Sequence, residues 1–167
     1  MITNVVCYAN LQCEINLNQL TSDNIVYNPR RFSAAIWKHK NIGGTCMVFG
    51  NGKLMTNGKV SSVKQAKQRL RRYARCLQKM GWNVTLTRIT IATISAAFKL
   101  EGPLDIQAVN RHYSASYDAE LYPAAMFVKD CVHYTCFYTG NVLMTGIKTE
   151  RQLYTTVTST LMELLLL

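Results

Sequence analysis

Apolar and polar residues alternate along this chain with two distinct periods. A period of two, which is typical of strands, recurs in both halves of the sequence. A spacing of three and four residues, which is typical of one face of a helix, occurs twice. The strands predicted by the first pattern lie near residues 2–11, 32–40, 44–49, 53–57, 83–100, 124–129, 132–137 and 142–145.

Each half of the chain is predicted to close with a helix. The first helix extends from about Ser62 to Met80 and stops at Gly81, because glycine readily adopts the conformation that ends a helix. The second begins after Thr149, whose hydroxyl can cap it, and the closing leucines 164–167 are expected to end its apolar face. A short helix is also expected near residues 17–20. The apolar stripes of the two long helices are Val63, Ala66, Leu70, Tyr73, Ala74, Leu77 and Met80, and Leu153, Tyr154, Val157, Leu161 and Leu164.

A second signal is an internal repeat with an offset of about 88 residues. Residues 46–59 read CMVFGNGKLMTNGK and residues 134–147 read YTCFYTGNVLMTGI, and they align without a gap. The segment YNPRRF at 27–32 likewise corresponds to YDAELY at 117–122. Two copies predict one pseudo-symmetric domain over residues 1–167, with repeats at about 1–88 and 89–167, rather than a solenoid.

Strands followed by a helix, twice over, predict an α+β fold in which an antiparallel sheet carries helices on one face. The opposite face would then be bare, although its positions carry Phe, Met and Val. A bare apolar sheet face indicates a binding surface.

The composition excludes several classes of protein. A chain of 167 residues can bury one core, and no apolar run approaches the roughly 20 residues that span a bilayer. The N-terminus alternates like a strand and lacks a basic leader, so we expect an intracellular protein without a membrane contact. No nucleophile or carboxylate motif accompanies His133, so we expect neither an enzyme nor a cofactor.

The six cysteines form no CxxC pair. In an extended strand, Cys131 and His133 would share one face while Cys136 points to the other, which disfavours a zinc site. We therefore expect reduced, structural cysteines and no bound metal.

Charge is distributed unevenly along the chain. The net charge is +10, but residues 1–88 contain 14 Lys and Arg against 2 Asp and Glu, whereas residues 89–167 contain 5 against 7. This imbalance indicates either contact with a polyanion or two differently charged surfaces for partners.

Several segments together resemble the core domain of the TATA-box-binding protein (TBP) family. They are Asn4-Val5-Val6, YNPRRF at 27–32, VFGNGK at 48–53, RYARCLQKMG at 72–81 and SYDAELYP at 116–123. The match covers nearly the entire chain in the family's order, including its repeat. The opening residues 2–7 look slightly more like the TBP-like factors, whereas YNPRRF looks like TBP proper, and both branches stay open.

The resemblance implies a saddle of about ten antiparallel strands with four helices above it, whose concave face binds the minor groove of A·T-rich promoter DNA. In this family, aromatic side chains wedge between base steps and kink the duplex. By position, the first wedge pair is Phe32 and Phe49, and the second is Tyr122 and Phe137. The other implied DNA contacts are Asn4, Asn57, Thr93 and Thr145 as central polar groups, Val6, Met47, Met55 and Leu143 as apolar groups, and Lys38, Lys53 and Lys148 facing phosphates.

The second repeat departs most from the family pattern. Thr93 stands in place of the family's second central asparagine, and Ser95, His133 and Thr135 replace apolar groove positions. Burying such groups unpaired costs about 1–3 kcal/mol each. We therefore expect the first repeat to wedge DNA and the second to grip it weakly or without sequence preference.

The resemblance also implies protein partners among the general transcription factors and the RNA polymerase machinery. A TFIIA-like partner would meet the basic helix, and a TFIIB-like partner would meet the acidic loop. These residues are Lys64, Lys67, Arg71, Arg72, Arg75 and Lys79 in the helix, and Asp118 and Glu120 in the loop. The implied location is the nucleus, or an infected cell if the factor is viral. Two alternatives stay open: an interaction module that engages TFIIA or TFIIB without productive TATA binding, and a homodimer through the concave face.

Overall fold

The computed structural model describes all residues from Met1 to Leu167. Its contacts group into two compact units, one formed by Asn4–Ala92 and the other by Met1–Thr3 with Thr93–Leu167. Each unit contains an antiparallel sheet of five strands whose buried side packs against helix. This arrangement agrees with the predicted α+β class.

In the first unit, the strand order across the sheet is β2-β3-β4-β5-β1, and every neighbouring pair is antiparallel. A single turn of 3-10 helix, Leu17–Gln19, follows the first strand. The elements are β1 Ile2–Asn10, β2 Ile25–Val26, β3 Ala34–Trp37, β4 Thr45–Phe49, β5 Lys53–Asn57 and helix α1 Val63–Lys79.

In the second unit, the strand order is β6-β10-β9-β8-β7, again with antiparallel neighbours. The elements are β6 Thr90–Lys99, α2 Ile106–Tyr113, β7 Ser116–Asp118, β8 Tyr122–Lys129, β9 Val132–Phe137 and β10 Asn141–Ile147. The chain ends in helix α3 Glu150–Gln152, a π-helical turn Leu153–Val157 and helix α4 Thr158–Leu165.

Local chemistry explains why α1 begins and ends where it does. The Ser62 hydroxyl accepts a hydrogen bond from the Gln65 backbone N–H at 3.1 Å, and the Gln65 side chain accepts one from the Ser61 N–H at 2.9 Å. Gly81 follows the helix with φ +102°, a conformation that glycine adopts without strain. The predicted stripe is buried as far as Leu77, whereas Met80 is 49% exposed at the end of the helix.

The two units fill equivalent parts of their cores with different residues. In the first unit, the Tyr73 ring from α1 packs on Trp37 with centroids 5.0 Å apart, and its hydroxyl donates to the Gly43 carbonyl at 2.9 Å. That hydroxyl also accepts from the His39 N–H at 3.1 Å. In the second unit the buried tyrosine is on the sheet and not on a helix. It is Tyr134 of β9, whose ring stacks on Phe127 with centroids 4.9 Å apart.

A charged cluster fastens α4 to the second sheet. The Glu163 carboxylate accepts from Lys129 Nζ and from the Tyr113 hydroxyl, each at 2.7 Å. The Tyr113 ring in turn stacks on Phe127 with centroids 4.0 Å apart. The hydrogen bonds from Lys129 and Tyr113 lower the pKa of Glu163 below its ordinary value.

Several elements differ from those that the sequence pattern predicts. The pattern misses α2 because Ile106 and Val109 are its only buried residues, and it misses β2 and β7 because each is only two or three residues long. The strand predicted over 32–40 shortens to Ala34–Trp37, and the extended stretch 83–100 contains a strand only from Thr90. Three helical regions are found instead of the four expected, and the 3-10 turn in the first unit lies where α2 lies in the second.

The C-terminal helix also departs from prediction. Thr149 caps it as expected, accepting from the Gln152 N–H at 3.1 Å. The helix then widens into a π-helical turn, where the hydroxyls of Thr155 and Thr158 donate back to main-chain carbonyls. Tyr154 is 69% exposed, and of the closing leucines 164–167, which were expected to end the apolar face, only Leu164 is buried.

We predict that Tyr73→Phe lowers the free energy of unfolding by about 1–3 kcal/mol, because it leaves the His39 N–H and the Gly43 carbonyl without their partner. Tyr154→Phe is the matched control, because this exposed hydroxyl forms no such pair. Urea unfolding followed by circular dichroism measures both changes. An equal, negligible effect of the two substitutions would contradict the role assigned to Tyr73.

We predict that Glu163→Gln flattens the acid limb of the stability curve. A lowered folded-state pKa contributes stability that is present above the unfolded-state pKa and is lost as the pH falls through the folded value. The difference in unfolding free energy between wild type and variant should therefore shrink as the pH drops below about 4.5. Glu101→Gln, which removes an exposed carboxylate, should instead track the wild type in unfolding measured across pH 7 to 3.

Candidate nucleic-acid interface

Alternation along the strands gives each sheet one buried face and one face without helix, which we call the open face. In the first unit, Val5, Cys7 and Leu54 are among the residues turned into the core, and the Cys7 thiol donates to the Ala66 carbonyl of α1. The open face of the first unit consists of Asn4, Val6 and Tyr8 on β1, Lys53, Met55 and Asn57 on β5, Thr45, Met47 and Phe49 on β4, and Ile36 on β3.

The open face of the second unit has an equivalent layout. Three of its large apolar side chains are notably accessible, since Met126, Val128 and Leu143 are 42%, 59% and 42% exposed. An uncovered apolar surface of this kind indicates a binding site. This open face consists of Thr93, Ser95 and Ala97 on β6, Leu143 and Thr145 on β10, His133, Thr135 and Phe137 on β9, and Met126 and Val128 on β8.

The four residues predicted as wedges form two ring pairs of nearly identical geometry. Phe32 and Phe49 have centroids 6.1 Å apart at an interplanar angle of 65°. Tyr122 and Phe137 have centroids 6.0 Å apart at the same angle. In both units the phenylalanine on the strand lies opposite an alanine, which leaves room for the second ring. Phe32 and Tyr122 are each 43% exposed, so both pairs are open to a ligand.

The loops that carry Phe32 and Tyr122 share one local structure but not one charge. In the first loop the Asn28 side chain accepts from the Arg30 N–H at 3.2 Å, and in the second the Asp118 side chain accepts from the Glu120 N–H at 3.0 Å. These side-chain turns orient the loops in the same way. The first loop presents two arginines, whereas the second exposes the predicted acidic residues.

Asn4 is the one central polar residue that the protein itself holds in place. Its side-chain oxygen accepts a hydrogen bond from the Gly58 N–H at 2.9 Å. Because a backbone N–H requires an acceptor, the amide nitrogen of Asn4 is left as the outward donor. Its counterpart Thr93, like Thr145, forms no side-chain hydrogen bond within its unit.

The predicted phosphate-facing lysines are at the margins of the open faces. Lys53 Nζ lies 5.0 Å from the centroid of the Tyr8 ring and 5.8 Å from that of the Phe49 ring, so its ammonium group forms cation–π interactions with both. Lys38 follows β3 and Lys148 follows β10, and both are exposed. Tyr8 was not among the predicted site residues, although its place in the alternation with Asn4 and Val6 is a signal that could have found it.

The predicted partner residues of α1 lie on the side of the helix away from the sheet. Lys67 is half-buried, and the other five residues, Lys64, Arg71, Arg72, Arg75 and Lys79, are exposed. Arg69 is also a basic residue of α1, but its side chain donates to the carbonyls of Lys59 at 2.9 Å and Asn57 at 3.5 Å. Arg69 therefore holds the β5–α1 connection and does not belong to the free basic surface.

The structure contains no group of His, Cys, Asp and Glu side chains arranged to hold a metal ion. Cys131 occupies the β8–β9 turn and is exposed, while Cys136 is buried in the core. Burial raises the pKa of the Cys136 thiol to about 12 and also raises the pKa values of Cys7 and Cys46, which keeps these thiols neutral. None of the helices combines the length and the hydropathy that a membrane-spanning helix requires.

Comparison with known proteins gives one family. The sequence profile described as transcription factor TFIID, or TATA-binding protein, matches residues 1–80 and again 88–166. The TATA box-binding protein-like 2 of Rattus norvegicus is 33% identical over 92% of this chain and 46% of its own length. The TATA-box-binding protein of Emericella nidulans is 30% identical over 92% of this chain and 59% of its own length. The chain thus spans about half the length of these relatives.

Among solved structures, Methanococcus jannaschii TBP superimposes with a TM-score of 0.83 over 96% of this chain and 94% of its own, at 21% identity. This likeness confirms the predicted fold.

We predict that Asn4→Ala lowers the free energy of unfolding by about 1 kcal/mol, because the Gly58 N–H loses its acceptor. Asn4→Asp retains an acceptor oxygen at this position and should lower the free energy of unfolding by less than Asn4→Ala does. Thr93→Ala is the control at the equivalent position, where no hydrogen bond is lost. Urea unfolding of the three variants tests whether the hydrogen bond from Gly58 holds Asn4 in place. An equal loss of unfolding free energy in Asn4→Ala and Thr93→Ala would show that it does not.

Proposed function

The chain belongs to the transcription factor TFIID, or TATA-binding protein, family, and we propose that it binds and bends A·T-rich promoter DNA through the minor groove. The observation that carries this proposal is the pair of matched aromatic wedges, Phe32 with Phe49 and Tyr122 with Phe137, at the margins of two uncovered apolar faces. The two repeats would act as a single DNA-binding domain, each taking one half of the site.

The proposed mechanism is deformation of DNA without a chemical reaction. Inserting a wedge costs a few kcal/mol of base stacking at each step, as described for this family. Burial of the open-face apolar residues offsets this cost, since fully burying a side chain such as Met, Leu or Phe contributes about 1.5–3 kcal/mol. Lys38, Lys53 and Lys148 would neutralise phosphates and release counterions, which makes the affinity dependent on salt.

The asymmetry of charge supports two protein contacts beside the DNA. The exposed basic face of α1 is suited to an acidic partner of the TFIIA type. The loop with Asp118 and Glu120 is suited to a basic surface of the TFIIB type. Through such contacts the protein would recruit the RNA polymerase machinery in the nucleus, or in an infected cell if the factor is viral.

A second candidate function is a module that engages TFIIA or TFIIB without productive TATA binding. The observation that favours it is the polar open face of the second unit, where Ser95, His133 and Thr135 stand at groove positions. A homodimer through the open faces is a further alternative, and it would bury the same apolar residues that DNA would.

We predict that Phe49→Ala weakens binding to an A·T-rich duplex by about ten- to hundredfold and reduces bending, because the wedge loses its buried area. Phe137→Ala should do the same in the second repeat. Gel shifts and end-to-end energy transfer on TATA and scrambled duplexes at two salt concentrations measure both effects. Tyr154→Ala, which removes an exposed aromatic ring from the C-terminal helix, is the control.

The same variants distinguish the two candidates. If the protein is a DNA-bending factor, Phe49→Ala reduces bending and leaves the association with a TFIIA-type partner intact. Weak, steeply salt-dependent binding that ignores sequence and is unchanged by Phe49→Ala would favour the interaction module.

A further inference from the structure

The two open faces differ in the groups that they offer to a ligand at Tyr8, whose equivalent is Ala97, and at three further equivalent positions. On the first strand of each sheet, Asn4 corresponds to Thr93 and Val6 corresponds to Ser95. On the strand that carries the wedge phenylalanine, Met47 corresponds to Thr135, and the two have the same place in the cross-strand register. The neighbouring pairs, Thr45 with Asn57 and His133 with Thr145, are polar in both units and do not discriminate between them.

The minor groove presents a chemical difference that these positions can detect. A·T and T·A pairs offer only acceptors there, adenine N3 and thymine O2, whereas G·C adds the N2 amino donor of guanine. A protein face that covers a G·C pair must supply an acceptor for this amino group, or the group is buried unpaired and binding weakens.

The first unit supplies no acceptor at the three positions. The side-chain oxygen of Asn4 is occupied by the Gly58 N–H at 2.9 Å, so only its amide N–H groups face outward. Val6 and Met47 are apolar. This face can donate to adenine N3 and thymine O2, but at these positions it cannot accept from guanine N2.

The second unit supplies three rotatable hydroxyls at the same positions. Those of Thr93, Ser95 and Thr135 form no hydrogen bond within the unit. A hydroxyl has one donor and two acceptor lone pairs, and it can turn to present either. This face can therefore accept from guanine N2 and can equally donate to the acceptors of an A·T pair.

We propose that the first unit requires A·T pairs in its half of the site and that the second unit accepts G·C pairs in the other half. The ligand is an asymmetric minor-groove element, and the difference between its halves sets the direction in which the protein lies on the duplex. This inference rests on the proposed minor-groove binding. In place of the expectation that the second repeat grips DNA weakly, this inference holds that the second unit tolerates G·C pairs.

The test uses three duplexes of one length: A·T pairs in both halves, a G·C pair in one half, and G·C pairs in both halves. Because the protein can bind in either direction, a G·C pair in one half should weaken binding by less than about threefold. G·C pairs in both halves should weaken it by about tenfold or more, because one pair must then face the first unit. Fluorescence anisotropy measures the three affinities.

Inosine provides the matched chemical control. An I·C pair resembles G·C in the major groove but lacks the N2 amino group, so its minor groove offers acceptors only, as A·T does. Replacing both G·C pairs by I·C should restore the affinity to within about threefold of the A·T duplex. If I·C pairs bind as weakly as G·C pairs, the amino group is not what the first unit rejects, and the proposal fails.

Exchange of the three residues between the units tests their role directly. The variant Thr93→Asn, Ser95→Val, Thr135→Met gives the second unit the residues of the first, and it should bind the duplex with one G·C pair about tenfold more weakly than wild type does. The reverse variant, Asn4→Thr, Val6→Ser, Met47→Thr, should tolerate G·C pairs in both halves. Urea unfolding checks that each variant folds, and the first exchange removes no intramolecular hydrogen bond.

The outcomes separate this proposal from the proposed function. If the wild type binds the A·T duplex but loses about tenfold or more with a single G·C pair, minor-groove binding stands and the tolerance of the second unit is refuted. If the wild type fails to bind the A·T duplex at all, the proposed function falls and the inference falls with it.

Discussion

Each five-stranded sheet packs its helices against one face only, and because side chains alternate along a strand, every apolar residue of the other face stays at the surface. Val128 and Met126 are exposed for this reason. A chain that carried such faces for stability alone would gain nothing from them, since exposed apolar surface contributes no burial. The one-sided packing therefore leaves these faces available to an external ligand, and the matched aromatic pairs at the margins are the reason for proposing DNA as that ligand.

The repeat preserves geometry more strictly than chemistry. The aromatic pairs differ by only 0.1 Å in centroid separation, at 6.1 and 6.0 Å, and the loops behind them form the same side-chain turn. The cores reach similar packing by different means, with a helix tyrosine in one unit and a strand tyrosine in the other. The open faces differ as well, since Asn4, Val6 and Met47 correspond to Thr93, Ser95 and Thr135. The two units thus differ in their side chains on a backbone scaffold that repeats.

Local signals allowed much of this fold to be predicted from the sequence. The bounds of β5 and β9, the end of α1 and the cap of the C-terminal helix follow from turn glycines and from Thr149, whereas the Ser62 cap of α1 was not predicted. Helix α2 was not predicted, because its two buried residues are too few to reveal a helical period. The wedge positions came from resemblance to a family, since alternation alone does not separate a wedge from a core residue. The hydrogen bond from Gly58 to Asn4 and the engagement of Arg69 could not be predicted, because they join residues that are distant or depend on a connection whose path the sequence does not specify.

Six of the seven methionines, all but Met1, provide a direct test of where DNA binds. Met47, Met55 and Met126 are on the open faces, Met80 and Met162 are exposed at helices, and Met144 is in the core. In a titration of methyl-labelled protein with an A·T-rich duplex, we predict that the methyl resonances of Met47, Met55 and Met126 shift in NMR spectra while those of Met80 and Met162 stay unchanged. Shifts confined to Met80 and Met162, with the open-face methyl groups unaffected, would contradict the claim that the uncovered sheet faces bind DNA.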